Sequence, residues 1–258
     1  MPVISIIGLG AGDLEQMPIG IYRKLKNSSN LFLRTREHPA AIALENEGIP
    51  FQTFDGVYER HSNFDDTYDA IVAALIRESR SSNVVYAVPG HPLVAERTVQ
   101  LLLNKQEAAD IEIEICGGQS FLDALFTAVK IDPIEGCQIV DALSMNRNEL
   151  QIRNHLIITQ VYDQMTASEV KLTLMELLPD DYEITVVEAA GSKEESVNII
   201  PLYELDRDIG LSQLTAVFVP AVTNEELLYR DFNKLRDVIA ALRGPNGCPW
   251  DKSKHTRV

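Results

Sequence analysis

The residues of this sequence that could do chemistry are gathered in short glycine-containing loops, and the first loop is the richest in glycine. Gly8, Gly10 and Gly12 fall within five residues, directly after an apolar run typical of a β-strand. Glycines let a strand turn sharply and bring backbone N–H groups close to a ligand. The spacing departs from the dinucleotide-binding pattern GxGxxG, because Asp13 replaces its last glycine. The loop therefore predicts a ligand site that is not of the Rossmann type, and a tight turn without a ligand is the alternative.

A second loop, Val88-Pro89-Gly90-His91-Pro92-Leu93-Val94, also follows a predicted strand. Its two prolines make it rigid, and open α/β sheets bind their ligands at the carboxyl ends of strands. His91 could act as a general base, because a neutral imidazole titrates near physiological pH. We favour the alternative, in which the backbone of His91 rather than its ring serves the site.

Two further loops are less informative when each is considered alone. Gly117-Gly118-Gln119-Ser120 leads from a strand into a helix, and either of its last two residues is positioned to cap that helix. Ala190-Gly191-Ser192-Lys193-Glu194-Glu195 follows another strand and predicts either a close approach of backbone to a ligand or a polar hairpin, which the loop alone favours. The five histidines lack the spacing of metal ligands, so no metal site is predicted.

Composition and charge exclude several classes of function. The 258 residues carry 23 Lys and Arg against 38 Asp and Glu, and a net charge of −15 makes nucleic acid an unexpected partner. Three cysteines without CxxC spacing predict neither a zinc site nor a disulfide framework, and Cys116 and Cys137 are expected to be inert core thiols. The sequence shows no signal peptide and no apolar stretch long enough to cross a bilayer. We therefore expect a cytoplasmic protein that has no membrane partner.

Apolar β-rich runs alternate with helical patterns in the first part of the chain, which predicts an α/β fold with a mainly parallel sheet covered by helices. The later strands have fewer helices between them, so we expect a second, mixed sheet. The predicted strands are Val3–Gly8, Leu31–Leu33, Val84–Val88, Ile111–Cys116, Gln138–Asp141, Leu156–Val161, Glu183–Glu188, Val197–Pro201 and Leu214–Pro220. The predicted helices are Asp65–Arg80, Val94–Gln106, Phe121–Val129, Ala167–Leu178 and Asn224–Leu242.

The order of these elements divides the chain into three segments. Residues 1–116 are predicted to form an N-terminal α/β domain, and residues 117–223 a C-terminal α/β domain with the mixed sheet. Residues 224–258 contain the last predicted helix, the stop signal Arg243-Gly244-Pro245, and what we expect to be the truncated start of another domain.

Taken together and in order, the four loops are more specific than any one of them. The GxGxGD turn at 8–13, Gly-His-Pro at 90–92, Gly-Gly-Gln-Ser at 117–120 and the small-residue loop at 190–195 resemble the tetrapyrrole (corrin/porphyrin) methylase family over about residues 2–223. The resemblance implies two α/β domains with a cofactor cleft between them, S-adenosylmethionine (SAM) as the cofactor, and a homodimer. The segment at 242–251 is similar to the opening of a MazG nucleotide pyrophosphohydrolase domain.

The resemblance also implies which residues contact the cofactor. Ala11 stands where most family members have Pro, and His91 stands where they have Asp. The implied cofactor-binding residues are Ala11, Gly90, His91, Val94, Ser120, Phe121, Val161, Tyr162 and Ala190. No catalytic residue is assigned, because methyl transfer from a sulfonium can be accelerated mostly by alignment of the reactants. His91, Asp13 and Tyr162 are the groups to test as a general base.

The leading hypothesis is a SAM-dependent methyltransferase that acts on a small-molecule or protein acceptor. A tetrapyrrole acceptor with many carboxylates would require clustered arginines, for which the candidates are Arg34, Arg36, Arg60 and Arg97. The alternative is a non-catalytic module that binds SAM or a nucleotide, or mediates dimerisation, attached to a MazG-type pyrophosphohydrolase. Pyrophosphohydrolase activity is not expected of this chain, because the sequence ends before any paired acidic helices that could hold magnesium.

Overall fold

The computed structural model describes residues 1–12, 14–61, 63–207 and 210–252 of the chain. Its contacts divide the chain into two compact units. The first unit comprises Met1–Ala128 and Ala190–Glu195, and the second comprises Val129–Ala189 and Ser196–Val258. These divisions differ from the predicted segment limits after residues 116 and 223. Compact units defined by contacts need not coincide with evolutionary domains, so the predicted domain limits stay a prediction.

The sheet of the first unit is parallel throughout, as the alternation of strands and helices predicts. Its strands are β1 (Val3–Gly8), β2 (Leu31–Leu33), β3 (Gln52–Thr53), β4 (Val84–Val88) and β5 (Glu112–Ile115). The order across the sheet is β3-β2-β4-β1-β5, and every neighbouring pair is parallel. Strand β1 therefore lies between β4 and β5. Since parallel strands end at the same edge of a sheet, the loops after these three strands start side by side.

Helices cover both faces of this sheet, and alternate residues of a strand enter different cores. The helices in this part of the chain are α1 (Ile19–Lys26), α2 (Pro39–Asn46), α3 (Asp55–Tyr58), α4 (Phe64–Ser79), α5 (Arg97–Ala109) and α6 (Phe121–Val129). Along β4, Tyr86 and Val88 join the core that contains residues of α4 and α5. Val85 and Ala87 join the core that contains residues of α1 and α2. Strands that are apolar on both faces are typical of a parallel sheet between two helical layers.

The second unit contains a mixed sheet, also as predicted. Its strands are β6 (Cys137–Asp141), β7 (His155–Thr159), β8 (Glu183–Glu188), β9 (Ser196–Pro201) and β10 (Thr215–Val219). The order is β6-β7-β10-β8-β9; β6 and β7 are parallel, and the other neighbouring pairs are antiparallel. Helix α7 (Gln164–Met175) contributes Val170 and Leu174 to a core shared with Ile158 and Val217 of the sheet.

The predicted helix Asn224–Leu242 is wrong, because the chain is extended at Asp231. The segment Leu227–Arg230 forms a 3-10 turn. The helices that follow it are α8 (Phe232–Arg243) and α9 (Pro249–Lys252). Asp231, at φ −81° and ψ 127°, caps α8, and its carboxylate accepts a hydrogen bond from the backbone N–H of Asn233 at 3.0 Å. Apolar spacing alone did not reveal this interruption.

Two other expectations need correction, and three short helices lie outside the prediction. The apolar pattern did not predict the short helices α1, α2 and α3, and α5 begins at Arg97 rather than Val94 because Glu96 is its N-cap. Cys116 and Cys137 are half-buried rather than fully buried; Cys116 packs against the edge of a core, and its Sγ accepts a hydrogen bond from Lys24 Nζ at 3.1 Å. Among the helices described, none has both the length and the apolar character needed to span a membrane.

A buried ion pair links the end of β2 to the start of α5. Arg34 Nη1 donates to Glu96 Oε2 at 2.7 Å, and the two side chains are 27% and 2% exposed. Glu96 Oε1 accepts from the hydroxyl of Thr98 at 2.6 Å, and Thr98 Oγ1 lies 3.1 Å from the Tyr86 hydroxyl. Burial alone would lower the pKa of Arg34, but the charge of Glu96 raises it above its usual range. The guanidinium therefore stays charged and depends on Glu96.

Replacing Glu96 with Gln should destabilise the protein, because Arg34 would keep a desolvated charge without its counter-charge. Breaking a fully buried pair costs about 3–5 kcal/mol; since part of Arg34 reaches solvent, we expect about 2–3 kcal/mol. Urea unfolding followed by circular dichroism measures the loss.

The matched control is Glu78→Gln, because Glu78 pairs with Arg77 on the surface at 3.3 Å. This change should cost less than about 1 kcal/mol. Equal losses for the two variants would contradict a stabilising role specific to the buried pair.

Candidate functional site

The loops that follow β1, β4 and β5 are held together by backbone hydrogen bonds. Gly8 N donates to Gly117 O at 2.8 Å, which links the first loop to the third. Gly10 and Gly90 form an isolated antiparallel bridge: Gly90 N donates to Gly10 O at 2.9 Å, and Gly10 N donates to Gly90 O at 3.3 Å. The first loop therefore lies between the second and third loops, as β1 lies between β4 and β5.

The close approach of these loops requires glycine at two positions. A Cβ atom on Gly8 would lie 2.1 Å from Gly90 O, and a Cβ atom on Gly118 would lie 2.6 Å from Gly8 Cα. Both neighbours are backbone atoms, which cannot move aside as a flexible side chain can. Gly90 is different: it has φ +66°, but a Cβ atom there would meet no atom of the described residues within 4 Å. The space beside Gly90 is therefore open.

The fourth loop packs on the first loop within the first unit. Gln16 Nε2 donates to Gly191 O at 2.9 Å, although 175 positions separate the two residues. A Cβ atom on Gly12 would lie 3.1 Å from the same carbonyl oxygen, and one on Gly191 would lie 2.8 Å from Ala124 Cβ. Small residues at these positions allow the approach. All four glycine-containing loops singled out in the sequence thus belong to one compact unit.

Seven of the nine predicted cofactor contacts lie in the first unit, on the four loops or at the start of α6. They are Ala11, Gly90, His91, Val94, Ser120, Phe121 and Ala190. Ser120 is buried, and the other six are half-buried. Val161 and Tyr162 lie in the second unit. Val161 is fully buried in the core of that unit, with no exposed surface for contact with a ligand, whereas Tyr162 is 39% exposed.

Ser120 is the residue that caps α6. Its Oγ accepts from Leu122 N at 3.1 Å, and its own N–H donates to Asp123 Oδ2 at 2.7 Å. This reciprocal pair is a capping box, and it fixes the end of the third loop. The neighbouring Gln119 Oε1 is buried and has no hydrogen-bond partner among the described residues. An acceptor of this kind in a loop is satisfied when a bound molecule or a water supplies a donor.

The His91 ring is engaged by its own loop. Its Nδ1 accepts a hydrogen bond from Leu93 N at 3.1 Å, so Nδ1 is not free to take a proton from a substrate. In the neutral ring the proton then resides on Nε2, which makes that nitrogen a donor. Tyr162 lies in the second unit, and Asp13 lies outside the described residues.

His38 is a residue that no sequence motif singles out, and it contacts the first loop at the carbonyl of Gly10. It is 7% exposed and caps α2, where its Nδ1 accepts from Ala40 N at 3.1 Å. The neutral ring must therefore carry its proton on Nε2, which lies 3.0 Å from Gly10 O and donates to it. Burial lowers the pKa of His38, against the smaller raising effect of the bond to Gly10. The available signal was the following Pro39, since proline favours the first position of a helix.

Comparison with known proteins gives consistent results for this chain. A family model described as Tetrapyrrole (Corrin/Porphyrin) Methylases matches residues 3–206. The chain is 53% identical over 251 residues to the uncharacterized protein YabN of Bacillus subtilis (strain 168). That alignment covers 97% of this chain and 51% of YabN, so the chain spans about half the length of this relative.

Two solved structures have the same fold. Uroporphyrin-III-C-methyltransferase from Thermus thermophilus gives a TM-score of 0.67 at 18% identity, covering 88% of this chain and 99% of that chain. A structure of the Thermus thermophilus enzyme complexed with S-adenosylhomocysteine gives a TM-score of 0.64 at 18% identity, covering 84% and 96%. These similarities establish the two-sheet α/β fold predicted from the sequence.

Replacing Gly118 with Ala should displace the first loop, because the new methyl group would be forced onto the backbone of Gly8. The φ of +151° at this position adds strain for any residue other than glycine. We expect a loss of about 2–4 kcal/mol of unfolding free energy, comparable to other severe backbone and overpacking changes. Chemical denaturation measures it.

Gly20→Ala is the matched control, because Gly20 lies in α1 and a Cβ atom there would meet none of the described residues within 4 Å. This helical position should gain slightly in stability. If Gly118→Ala were tolerated as well as Gly20→Ala, the close approach of the two loops would not be a feature of the folded chain.

Stability should fall as the pH is lowered below about 6.5, the ordinary value for histidine. Because burial lowers the folded-state pKa of His38, the unfolded chain binds the proton more readily, and acid favours unfolding. The loss continues until the pH falls through the folded-state pKa, at no more than about 1.4 kcal/mol per pH unit.

Urea midpoints at pH 7.5 and 5.5, for the parent chain and for His38→Gln, isolate this contribution. The other histidines are present in both proteins. The parent should lose more stability than the variant over this interval. An identical loss would mean that His38 titrates no differently in the folded and unfolded chains.

Proposed function

The chain belongs to the tetrapyrrole methylase family, and we propose that it transfers a methyl group from SAM to a small-molecule or protein acceptor. The observation that carries this proposal is the assembly of the four loops. Three of them are hydrogen-bonded together at the carboxyl edge of the parallel sheet, and the fourth packs on the first. This is the edge where open α/β sheets bind ligands. The Thermus thermophilus enzyme complexed with S-adenosylhomocysteine supports the choice of cofactor.

The residues present fit a ligand that is bound largely by backbone groups. Within the described part of the chain the space beside Gly90 is open, and a Cβ atom on Gly117 would likewise meet no atom there within 4 Å. Half-buried apolar side chains at Ala11, Val94 and Phe121 offer contact to an adenine ring or a methionyl chain. Gln119 Oε1 provides a buried acceptor without a partner among the described residues. This combination of open space, apolar surface and one unsatisfied acceptor suits an adenosyl group.

The protein contributes alignment to the reaction. When bound, SAM supplies an activated methyl group whose transfer leaves a neutral thioether. The loops have to hold the acceptor and the methyl carbon in line, and such orientation is worth up to about 7–11 kcal/mol of the barrier. The hydrogen-bonded pair Gly10–Gly90 and the capping box at Ser120 keep three loops rigid, as this task requires. His91 Nε2 can orient an acceptor by donating a hydrogen bond.

The charges of the first unit give no support to a polycarboxylate acceptor. Two of the four candidate arginines form ion pairs within the protein: Arg34 pairs with Glu96, and Arg36 pairs with Glu45 at 3.2 Å. Arg60 donates to a carbonyl of its own turn. The net charge of −15 also disfavours a polyanion. We therefore keep a small-molecule or protein acceptor without many carboxylates as the proposed substrate.

A second candidate function is SAM binding without turnover, and the environment of His91 favours it. The ring stands where the family has a carboxylate, and its Nδ1 is bonded to Leu93 N. In this version the chain is a sensor or a homodimeric scaffold for a MazG-type hydrolase. The similarity of residues 242–251 to the opening of such a domain supports the fusion, as does the greater length of YabN. A methylated product separates turnover from binding.

Calorimetric titration with SAM and with S-adenosylhomocysteine tests the cofactor site. We expect one site per chain, and we expect Gly90→Trp to weaken binding by about 100-fold or more, equivalent to about 2.7 kcal/mol, because the indole ring would fill the open space beside the second loop.

The matched control is Gly48→Trp. Gly48 has φ +73° and open space around its Cβ position, like Gly90, but it lies at the end of α2. Both substitutions should therefore lower the free energy of unfolding by a similar amount, because each places a side chain at a positive φ. Gly48→Trp should bind SAM normally. Absence of any binding to the folded parent chain would refute the proposed function, and equal binding by both variants would move the site away from the second loop.

A further inference from the structure

We propose that His38 is a positioning residue of the cofactor site, an inference that rests on the proposed function. It contacts no cofactor itself. Instead it donates a hydrogen bond to the carbonyl of Gly10. This bond fixes the position of the Gly10–Gly90 bridge, which joins the first and second loops, relative to α2.

A single carbonyl oxygen carries this connection. Gly10 O accepts one hydrogen bond from His38 Nε2 at 3.0 Å and a second from Gly90 N at 2.9 Å. The other ring nitrogen of His38 accepts from Ala40 N, so both ring nitrogens are bonded to backbone. The imidazole thus spans the distance from the first turn of α2 to the first loop. Two backbone partners on opposite sides also fix the orientation of the ring.

The backbone that carries the His38 side chain is rigid. His38 is extended at φ −147° and ψ 136°, as expected for a residue that precedes proline. Pro39 fixes the first position of α2, and Ala40, Ala41 and Leu44 anchor the helix in the core beneath the sheet. The buried imidazole is hydrogen-bonded through both of its nitrogens, and its backbone caps a packed helix. It therefore restricts the motion of the first loop.

Capping alone does not require histidine. Asn63 caps α4 in the same unit by accepting from Asp65 N at 3.0 Å, and Asn146 accepts from Asn148 N at 3.0 Å. Asparagine is the better N-cap by general preference. What histidine adds is a second nitrogen far enough from the backbone to reach Gly10 O. The choice of residue is thus explained by the contact with the loop.

Three variants separate capping from positioning. His38→Asn keeps an acceptor for Ala40 N but is too short to reach Gly10 O. His38→Gln places an amide N–H donor near the position of Nε2 and should restore the link. Asn63→Ala is the control, because it removes a helix cap in the same unit without touching the loops. If His38→Asn fails to fold, His38→Ser takes its place, since it also caps and is also too short.

Two measurements are made on each protein. The first is the dissociation constant for SAM, by calorimetry. The second is the exchange rate of the Gly90 amide hydrogen, by NMR in the absence of ligand. We expect His38→Asn to raise the dissociation constant about 2- to 10-fold, the range for one lost hydrogen bond, and to accelerate Gly90 exchange by a similar factor. His38→Gln and Asn63→Ala should stay within about twofold of the parent in both measurements.

The outcomes distinguish this inference from the proposed function. If the parent chain binds no SAM, the proposed function fails, and Gly90 exchange alone decides whether His38 holds the loops. If the parent binds SAM but His38→Asn matches Asn63→Ala in both measurements, His38 is only a helix cap and the inference is overturned. A His38→Gln variant as impaired as His38→Asn would also contradict it.

Discussion

Close approach of backbone to backbone at one edge of the parallel sheet is the constraint on which the rest of the site depends. Strand β1 lies between β4 and β5, so its loop has to fit between the loops of both neighbours. Gly8 and Gly118 lie so close to the backbone of a neighbouring loop that a single methyl group on either would overlap backbone atoms. The glycines therefore pack the three loops into one layer of hydrogen-bonded backbone. Among the described residues, open space remains beside Gly90, where we propose that the cofactor binds.

Support for this layer comes from buried polar groups on neighbouring elements. His38 holds the first loop at Gly10, and the Arg34–Glu96 pair joins the end of β2 to the start of α5, just beyond the second loop. Ser120 closes the third loop with a capping box. His38 and Arg34 bond to partners on other elements of the fold, and Ser120 bonds to the backbone of the helix that follows it. A methyltransferase that works mainly by alignment needs this kind of rigidity more than it needs reactive side chains.

Much of the fold could be predicted from the sequence, because buried parallel strands leave a strong local signal. The runs Val3–Gly8 and Val84–Val88 are apolar on both faces, and both are strands with those bounds. The apolar pattern does not predict short helices such as α1 and α2, because eight residues span only about two turns and are shorter than the window in which a helical period can be recognised. The single helix predicted over Asn224–Leu242 is wrong although its apolar periodicity is strong. Its apolar spacing continues through Asp231, but the capping preference of that residue breaks the helix.

The site was predictable where it depends on glycine and proline, and not where it depends on contacts distant in sequence. Gly10 and Gly90 could be named as loop residues, but their pairing follows only from the strand order. His38 is 28 positions from Gly10, and no local pattern reports that contact. Val161 was named by alignment of motifs, whereas its side chain is buried in a core that the motif does not describe.

The most direct test of this account is hydrogen–deuterium exchange of the chain with and without S-adenosylhomocysteine, read at peptide resolution. We expect slower exchange in residues 8–12, 89–94 and 117–120 when the ligand is bound, with edge strands β3 and β9 unchanged. Protection confined to other parts of the chain, or binding without any change in these three loops, would contradict the claim that they form the cofactor site.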